Sequence, residues 1–244
     1  MKKTTLVFLC FSFLFASCVD QIDDCFRSTG SIRNEERPIG KFSSIDIDDR
    51  INVFLTFGKK DEYKMSVKAG KNLQDNISTE LQGRELVIRN DNKCNWVRDL
   101  KKEIDIFLTV PDLDLITYRG SGEVKFLNKL QTDSFRLEVW NGSGNLYFDI
   151  EANYTALKIN TGSADVYSRG KAEQLVAFSN GLGSLKTQET LAKDVLAINT
   201  NVGLVTVHAL ELLKAEIRSN GNIEYYGSPL VDSEISGKGQ LIPK

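Results

Sequence analysis

Apolar and polar residues alternate in short runs from about residue 42 onward, as in INVFLTF at 51–57 and EIDIFLTV at 103–110. A period of two places every second side chain on one face, which is typical of β-strands with one buried side. LQGREL at 81–86 predicts a hairpin turn. Residues 71–78 predict one short helix, with Leu73 and Ile77 on one face. The pattern predicts an all-β fold.

A small-residue turn interrupts this alternation every 18 to 22 residues from residue 115 onward. The turns are marked by Gly122, Gly144, Ala164, Gly183, Gly203, Gly221 and Gly239. An apolar residue follows each marker by two positions: Val124, Leu146, Val166, Leu185, Val205, Ile223 and Leu241. A fixed period near 20 is typical of coils that stack into one core. The spacing predicts a parallel β-helix-like solenoid in which these seven apolar residues form an inner ladder.

The residues before each marker predict a second inner ladder. Counting back seven positions from successive markers gives Leu137, Leu157, Val176 and Leu196. The glycines themselves belong at the corners, because corners need positive φ or close backbone approach. A phosphate loop would need one such turn that opens a helix, whereas these turns recur and each opens a strand.

The chain divides into four parts on this interpretation. Residues 1–17 are a signal peptide and 18–30 a lipidated acidic tether. Residues 31–114 are a β-rich N-terminal half, and 115–244 are the glycine-turn solenoid. No Pro-, Gly- or Ser-rich linker separates the two halves. They are therefore expected to pack continuously.

The N-terminus predicts export and lipidation. Lys2 and Lys3 precede an apolar stretch that is too short for a transmembrane span, and Ala16 and Ser17 precede Cys18. A cysteine in that place resembles the bacterial lipobox, which predicts a lipid anchor on Cys18 and attachment to the outer membrane, facing the cell surface or the periplasm. The alternative is an ordinary secreted protein.

Two further cysteines remain in the mature chain, Cys25 and Cys94. Disulfides persist in exported proteins, and an even number of cysteines favours one bridge. The alternative is two free buried thiols. A zinc site is less favoured, because two cysteines lack clustered further ligands.

Composition excludes several kinds of chemistry. The net charge of −2, from 31 basic and 33 acidic residues, gives no electrostatic case for a nucleic-acid partner. His208 is the sole histidine, so no site with two histidine ligands can form. Glu123, Asp165 and Glu224 follow their markers closely, but they stand among other polar residues. No cofactor, metal ion or catalytic residue is therefore expected.

Four features together resemble a known family. They are the lipobox, DCFRSTGSI with EERPIGKFSSIDI, then INVFLTFG with YKMSVKAGKNLQDNISTELQGRELVIRN, and VPDLDLITYRGSGEV with its returning glycine turns. The chain is similar to the putative auto-transporter adhesin, head GIN domain family of Bacteroidetes lipoproteins. The resemblance covers residues 25–244 and implies a β-helical, exported protein. It implies no catalytic residues.

Three functions remain open at this point. The first is a non-enzymatic surface module, an adhesin that binds a glycan or a protein on a long solenoid face. Outward positions on that face include Lys125, Tyr147, Tyr167 and Lys186. The second is a carbohydrate-active β-helix enzyme, which would need converging carboxylates. The third is a purely structural partner in the cell envelope.

Overall fold

The computed structural model describes residues 28–92 and 103–244, and it confirms the all-β solenoid. The strands are β1 Ile32–Arg37, β2 Ser44–Ile47, β3 Asn52–Phe57, β4 Lys64–Gly70, β5 Ile77–Gln82, β6 Glu85–Asn90, β7 Asp105–Val110, β8 Leu115–Tyr118, β9 Val124–Phe126, β10 Leu130–Val139, β11 Asn145–Ile159, β12 Asp165–Ser179, β13 Leu185–Asn199, β14 Val205–Ile217, β15 Ile223–Tyr226, β16 Leu230–Ile235 and β17 Leu241–Pro243. A single 3-10 turn, Gln74–Asn76, lies in the region predicted to be helical. No helix in the described part of the chain is long and apolar enough to cross a membrane.

Two walls, each built mainly of parallel strands, run the length of the solenoid. The first wall contains the strand segments that follow each corner: β7, β3, β9, the first parts of β11 to β14, then β15 and β17. The second wall contains the segments that precede the next corner: β6, β2, β8, β10, the later parts of β11 to β14, and β16. Each long strand therefore crosses from the first wall to the second.

The N-terminal half supplies coils of the same solenoid. β2 pairs in parallel with both β6 and β8, and β3 pairs in parallel with both β7 and β9. The coil of residues 44–57 is thus inserted between two coils that follow it in sequence. One continuous cluster of buried side chains joins the two halves. The position 114/115 is therefore not a boundary between two cores.

Antiparallel strands cap the N-terminal end. β4 pairs with β7 and with β1 along the first wall, and β5 forms the predicted hairpin with β6 along the second. Gln74 is buried between them and donates to the carbonyls of Arg33 and Val67. The guanidinium of Arg37 donates to the Gln74 carbonyl at 2.8 Å and to the Ile77 carbonyl. This hydrogen-bonded cap closes the end of the core.

The seven apolar residues that follow the markers lie in one register on consecutive strands of the first wall. Val124 pairs with Leu146, Leu146 with Val166, and the series continues to Leu241. The first six are fully buried, and Leu241, on the last coil, is half-buried. Val53 and Ile106 continue the ladder into the N-terminal coils.

The second ladder was predicted wrongly beyond Leu157. Leu137 pairs with Leu157, but Leu157 pairs with Ala177, and Val176 and Leu196 point outward. The cause is a change in corner length between register-equivalent positions: six residues lie between Ile159 and Val166, whereas five lie between their partners Ser179 and Leu185. A count of seven positions back from the marker therefore reaches a residue one position away from the structurally equivalent one. A shift of one residue exchanges the two faces of a strand.

Two of the inward positions on the second wall, which the count from the markers did not identify, are occupied by polar residues. Ser179 and Asn199 are fully buried and stand in register between Ile159 and Ile217. The Asn199 amide donates to the Gly203 carbonyl at 2.7 Å and to the Asn222 carbonyl at 3.1 Å. This pairing satisfies the amide inside the core, as a buried polar group requires.

The corner glycines are required by close approach between coils. None of Gly122, Gly144, Gly183, Gly203, Gly221 and Gly239 has a positive φ. A Cβ on Gly144 would lie 1.9 Å from the Gly122 carbonyl oxygen, and one on Gly183 would lie 1.9 Å from the Ala164 carbonyl oxygen. Tyr118 adds to the crowding, since its buried hydroxyl would lie 2.0 Å from that Cβ on Gly144. Each marker glycine therefore packs directly against the backbone of a neighbouring coil.

The register of the first wall can be tested with neighbouring residues. Leu185→Asp places an unpaired carboxylate between two coils and should lower the free energy of unfolding by about 3–5 kcal/mol. Lys186→Asp, one residue further on, points outward and should lower it by less than about 1 kcal/mol. Urea unfolding of both variants checks this. Equal losses would contradict the register.

The corner packing can be tested by adding one methyl group. Gly183→Ala forces its Cβ against the Ala164 carbonyl and should destabilise the protein by about 1–3 kcal/mol. Gly40→Ala is the control, because its Cβ would meet only the end of the Leu81 side chain, at 3.0 Å. Thermal unfolding should separate the two. A Gly183→Ala protein as stable as Gly40→Ala would show that close approach does not select these glycines.

Candidate functional site

One column of outward side chains along the first wall combines aromatic rings with lysines. Consecutive strands place six residues in register, and we call this column the aromatic–lysine ladder. Its members are Phe107, Phe54, Lys125, Tyr147, Tyr167 and Lys186. With coils ~4.8 Å apart, the ladder extends about 24 Å.

The middle of the ladder is a stack capped by two ammonium groups. The rings of Tyr147 and Tyr167 stack with centroids 4.9 Å apart and planes 14° apart. Lys125 Nζ lies 5.8 Å from the Tyr147 centroid, and Lys186 Nζ lies 4.6 Å from the Tyr167 centroid. Lys186 also donates to the Tyr167 hydroxyl at 3.1 Å. Cation–π attraction and ring stacking therefore hold the column in one conformation.

Electrostatics fix the protonation of this stack. The hydrogen bond to Tyr167 raises the pKa of the Lys186 ammonium. Burial, and then the charge of the nearby Glu123, raises the pKa of the Tyr147 phenol. Both groups therefore stay protonated near neutral pH. They present an ammonium donor and a phenolic donor–acceptor to solvent.

A groove of about 340 Å³ runs beside the stack. Besides the stacked residues, its polar lining includes Asp149, Arg169, Gln188 and Glu189. Arg169 Nε lies 2.9 Å from Asp149 Oδ2, so these two charges are paired. The groove thus combines hydroxyl, amide, carboxylate and cationic groups with little net charge.

The other end of the ladder carries two stacked phenylalanines. The rings of Phe54 and Phe107 lie 5.2 Å apart with planes 22° apart, and Phe107 is 37% exposed. The sequence analysis placed Lys125, Tyr147, Tyr167 and Lys186 outward, and the structure brings all four together. It missed the phenylalanines. The repeated segments VFLT at 53–56 and IFLT at 106–109, which align in the structure, carried that signal.

The second wall carries a different outward feature, an apolar patch. It consists of Val176, Phe178, Leu196 and Ile198, the side chains exchanged by the register slip. All four are half-buried on an otherwise polar face, between Lys158 on one side and Lys214 and Glu216 on the other. Clustered exposed apolar side chains are typical of contact surfaces.

The three carboxylates considered for catalysis, Glu123, Asp165 and Glu224, lie on different coils, with at least one coil between any two of them. Asp165 accepts the Ser184 backbone N–H at 2.7 Å, and Glu224 forms an ion pair with Lys244 at 3.0 Å. Glu224 stands in register with Thr206 of the neighbouring strand, further along the wall than Asp165. His208 lies 3.3 Å from the Gln188 carbonyl. Asp165, Glu224 and His208 thus each have a partner within the protein.

Within residues 28–92 and 103–244, no three His, Cys, Asp or Glu side chains converge as a metal site would require. The predicted lipidation site Cys18 and the predicted disulfide between Cys25 and Cys94 lie outside the described residues. Both stay predictions.

Comparison with solved structures shows where else this fold occurs. A putative adhesin from Bacteroides fragilis superposes with a TM-score of 0.82 at 24% identity, over 88% of this chain and 97% of that one. A putative adhesin from Parabacteroides distasonis gives 0.71 at 20% identity, over 88% and 98%. A protein from the same species named a putative lipid binding protein also gives 0.71 at 20%, over 89% and 98%. These likenesses show the fold.

Comparison with family models identifies the chain more directly. No protein with a curated description matches it. The model described as putative auto-transporter adhesin, head GIN domain matches residues 41–229, which is most of the solenoid. The chain belongs to the putative auto-transporter adhesin, head GIN domain family.

Proposed function

We propose that the protein is a non-enzymatic, lipid-anchored adhesin of the outer membrane that binds a neutral glycan along the aromatic–lysine ladder. The ladder and its groove are the observation that carries this proposal. Membership of an adhesin family and the absence of a carboxylate pair among the candidates support a binding role. The lipid anchor on Cys18 would hold the solenoid at the membrane through the tether 18–30.

The composition of the groove favours a neutral, hydroxyl-rich ligand. Lys125, Arg169 and Lys186 are opposed by Asp149 and Glu189 in the groove, and Glu123 and Asp165 stand beside the ladder. A polyanion would meet these carboxylates, whereas sugar hydroxyls can both donate to them and accept from the cations and amides. The balance of charges therefore selects against acidic polymers.

The geometry also defines how a glycan would lie. The faces of Tyr147 and Tyr167 are covered by each other and by the two lysines, so a sugar ring cannot stack on them. The ligand would contact ring edges, hydroxyls and ammonium groups in the groove. Phe107, whose outer side is partly exposed, offers a ring to a sugar at the far end of the ladder. A chain of several sugars would span the ~24 Å from Phe107 to Lys186.

A glycan array tests the ligand class. The Cys18→Ser chain, which should be unlipidated, is expected to bind neutral oligosaccharides. The double variant Tyr147→Ala with Tyr167→Ala should weaken that binding at least about tenfold. Circular dichroism should show an unchanged fold, because both side chains point outward. Binding of acidic glycans alone would contradict the assignment.

A control on the other wall makes this result specific. Val176→Thr with Leu196→Thr changes the apolar patch and should leave glycan binding unchanged. The patch itself favours a second candidate function, attachment to a protein through the second wall. Loss of cell-surface attachment in the patch variant, with attachment retained in the tyrosine variant, would favour that second function over the first.

The lipid anchor is tested by Cys18→Ser in the native host. Without the thiol no acyl chains can be attached, and acyl burial supplies about 0.8 kcal/mol per CH₂ of membrane affinity. The variant should leave the membrane fraction or stall before signal-peptide removal. Fractionation followed by intact-mass measurement checks both outcomes. Maturation and fractionation like the unchanged protein would contradict lipidation.

A further inference from the structure

The edge strands at the ends of the solenoid differ in whether their sequences block pairing with a further strand. At the N-terminal end, β1 is the outermost strand of the first wall and pairs only with β4 among the described strands. Its residues opposite the buried Met65, Val67 and Ala69 of β4 are charged: Arg37, Glu35 and Arg33. Inward-pointing charges on an edge strand prevent further strands from adding. The edge of the first wall at this end is therefore protected.

At the C-terminal end, the last strand of the first wall is also protected. β17 contains only three residues, Leu241–Pro243, and Lys244 follows it. Pro243 has no backbone N–H to offer to another strand. A short strand, a proline and a lysine are features that block pairing at an edge.

The last strand of the second wall lacks these features. β16 is six residues long, LVDSEI, and contains no proline, lysine or arginine. In the described chain it pairs only with β14, so its outer edge keeps free backbone donors and acceptors. Such an edge is a template for another strand.

The inward side chains of β16 are not covered by a further coil, unlike those of β14. Val231, Ser233 and Ile235 stand in register with the buried Leu213, Ala215 and Ile217 of β14. One coil apart, the exposed fraction rises from 0% at Leu213 to 37% at Val231, and from 0% at Ile217 to 48% at Ile235. Leu230 beside them is 75% exposed. Covering these apolar side chains would continue the core.

We propose that β16 receives an extended segment of another protein in which apolar residues alternate with Lys or Arg. The segment would pair with the free edge of β16 and place its apolar residues over Val231 and Ile235. Its basic residues would then lie beside Asp232 and Glu234, which point outward. No ion pair of the described residues involves either carboxylate. In strand addition of this kind, backbone hydrogen bonds provide the affinity and the alternate side chains of the added strand provide the specificity.

Charge argues against a second copy of this chain as the occupant. In an antiparallel pairing of two β16 strands, the outward carboxylates of one copy would face those of the other. Stacking on β5 of a second copy would bring Glu80, an outward residue of that strand, toward Asp232 and Glu234. Like charges opposite one another destabilise a strand pair. A basic strand has the complementary pattern.

Fluorescence anisotropy with synthetic peptides and the purified full-length chain tests this proposal. The probe is a labelled nonapeptide in which valine alternates with lysine. It should bind, and two relatives should bind at least about tenfold more weakly. One carries glutamate in place of lysine. The other keeps the lysines but has N-methylated amides along one edge, so it preserves charge while removing backbone donors.

Two matched lysine substitutions locate the site on the protein. Ser233→Lys introduces an inward charge on β16 and should weaken probe binding at least about tenfold. Ser228→Lys makes the same chemical change in the exposed loop before β16 and should not. Both serines are exposed, so both variants should keep the melting temperature of the unchanged chain.

Three results would overturn the proposal. Equal binding of the N-methylated peptide would reduce the interaction to charge attraction, and equal binding by Ser233→Lys and Ser228→Lys would place it elsewhere. A dimer at neutral pH in analytical ultracentrifugation that Ser233→Lys dissolves would make a second copy the occupant. None of these results depends on glycan binding along the first wall.

Discussion

The spacing between the backbones of neighbouring coils is the constraint on which the rest of the structure depends. Interstrand hydrogen bonds hold the coils ~4.8 Å apart. At the six corners marked by glycine this leaves no room for a side chain, since a Cβ on Gly144 or Gly183, for example, would overlap the carbonyl of the coil before it. Because every coil is held at its corner, the residues a fixed distance after the corner fall directly above one another. The buried ladder of the first wall and the outward aromatic–lysine ladder both follow from that alignment.

The same dependence explains which parts of the fold could be predicted. The first wall begins two residues after every marker, so the period alone placed Val124 through Leu241 on one face. The second wall is reached by counting backward through a corner whose length changes, and there the count failed. The polarity of the residues gave no sign of the error, because the polar Ser179 and Asn199 are buried while the apolar Val176 and Leu196 point outward. The insertion of coil 44–57 between later coils leaves no local signal, because it is decided by pairing between distant strands.

Prediction of the candidate site was limited in the same way. Lys125, Tyr147, Tyr167 and Lys186 each lie one residue after an inner-ladder position, so alternation alone assigned them outward. That they form a cation-capped stack depends on rotamers and ring planes, which the sequence does not specify. Phe54 joins the column because β3 pairs with β9, and Phe107 joins it because β3 also pairs with β7. Both pairings come from the insertion of the coil of residues 44–57. The part of the site that relies on local order was therefore predictable, and the part that relies on topology was not.

A solenoid separates the residues that fold it from the residues that can bind. Corner glycines and inward side chains satisfy the stacking constraint, whereas outward columns are free to differ so long as they remain compatible with a strand. A protein with 24% identity shares this fold at a TM-score of 0.82, and a shared fold does not by itself specify a ligand. Specificity then resides in what successive coils place side by side on the outer face. In this chain the first wall places two tyrosines between two lysines, and the second places four apolar side chains. The column on the first wall joins two rings and two cations in one stack, which is why we propose the binding role there.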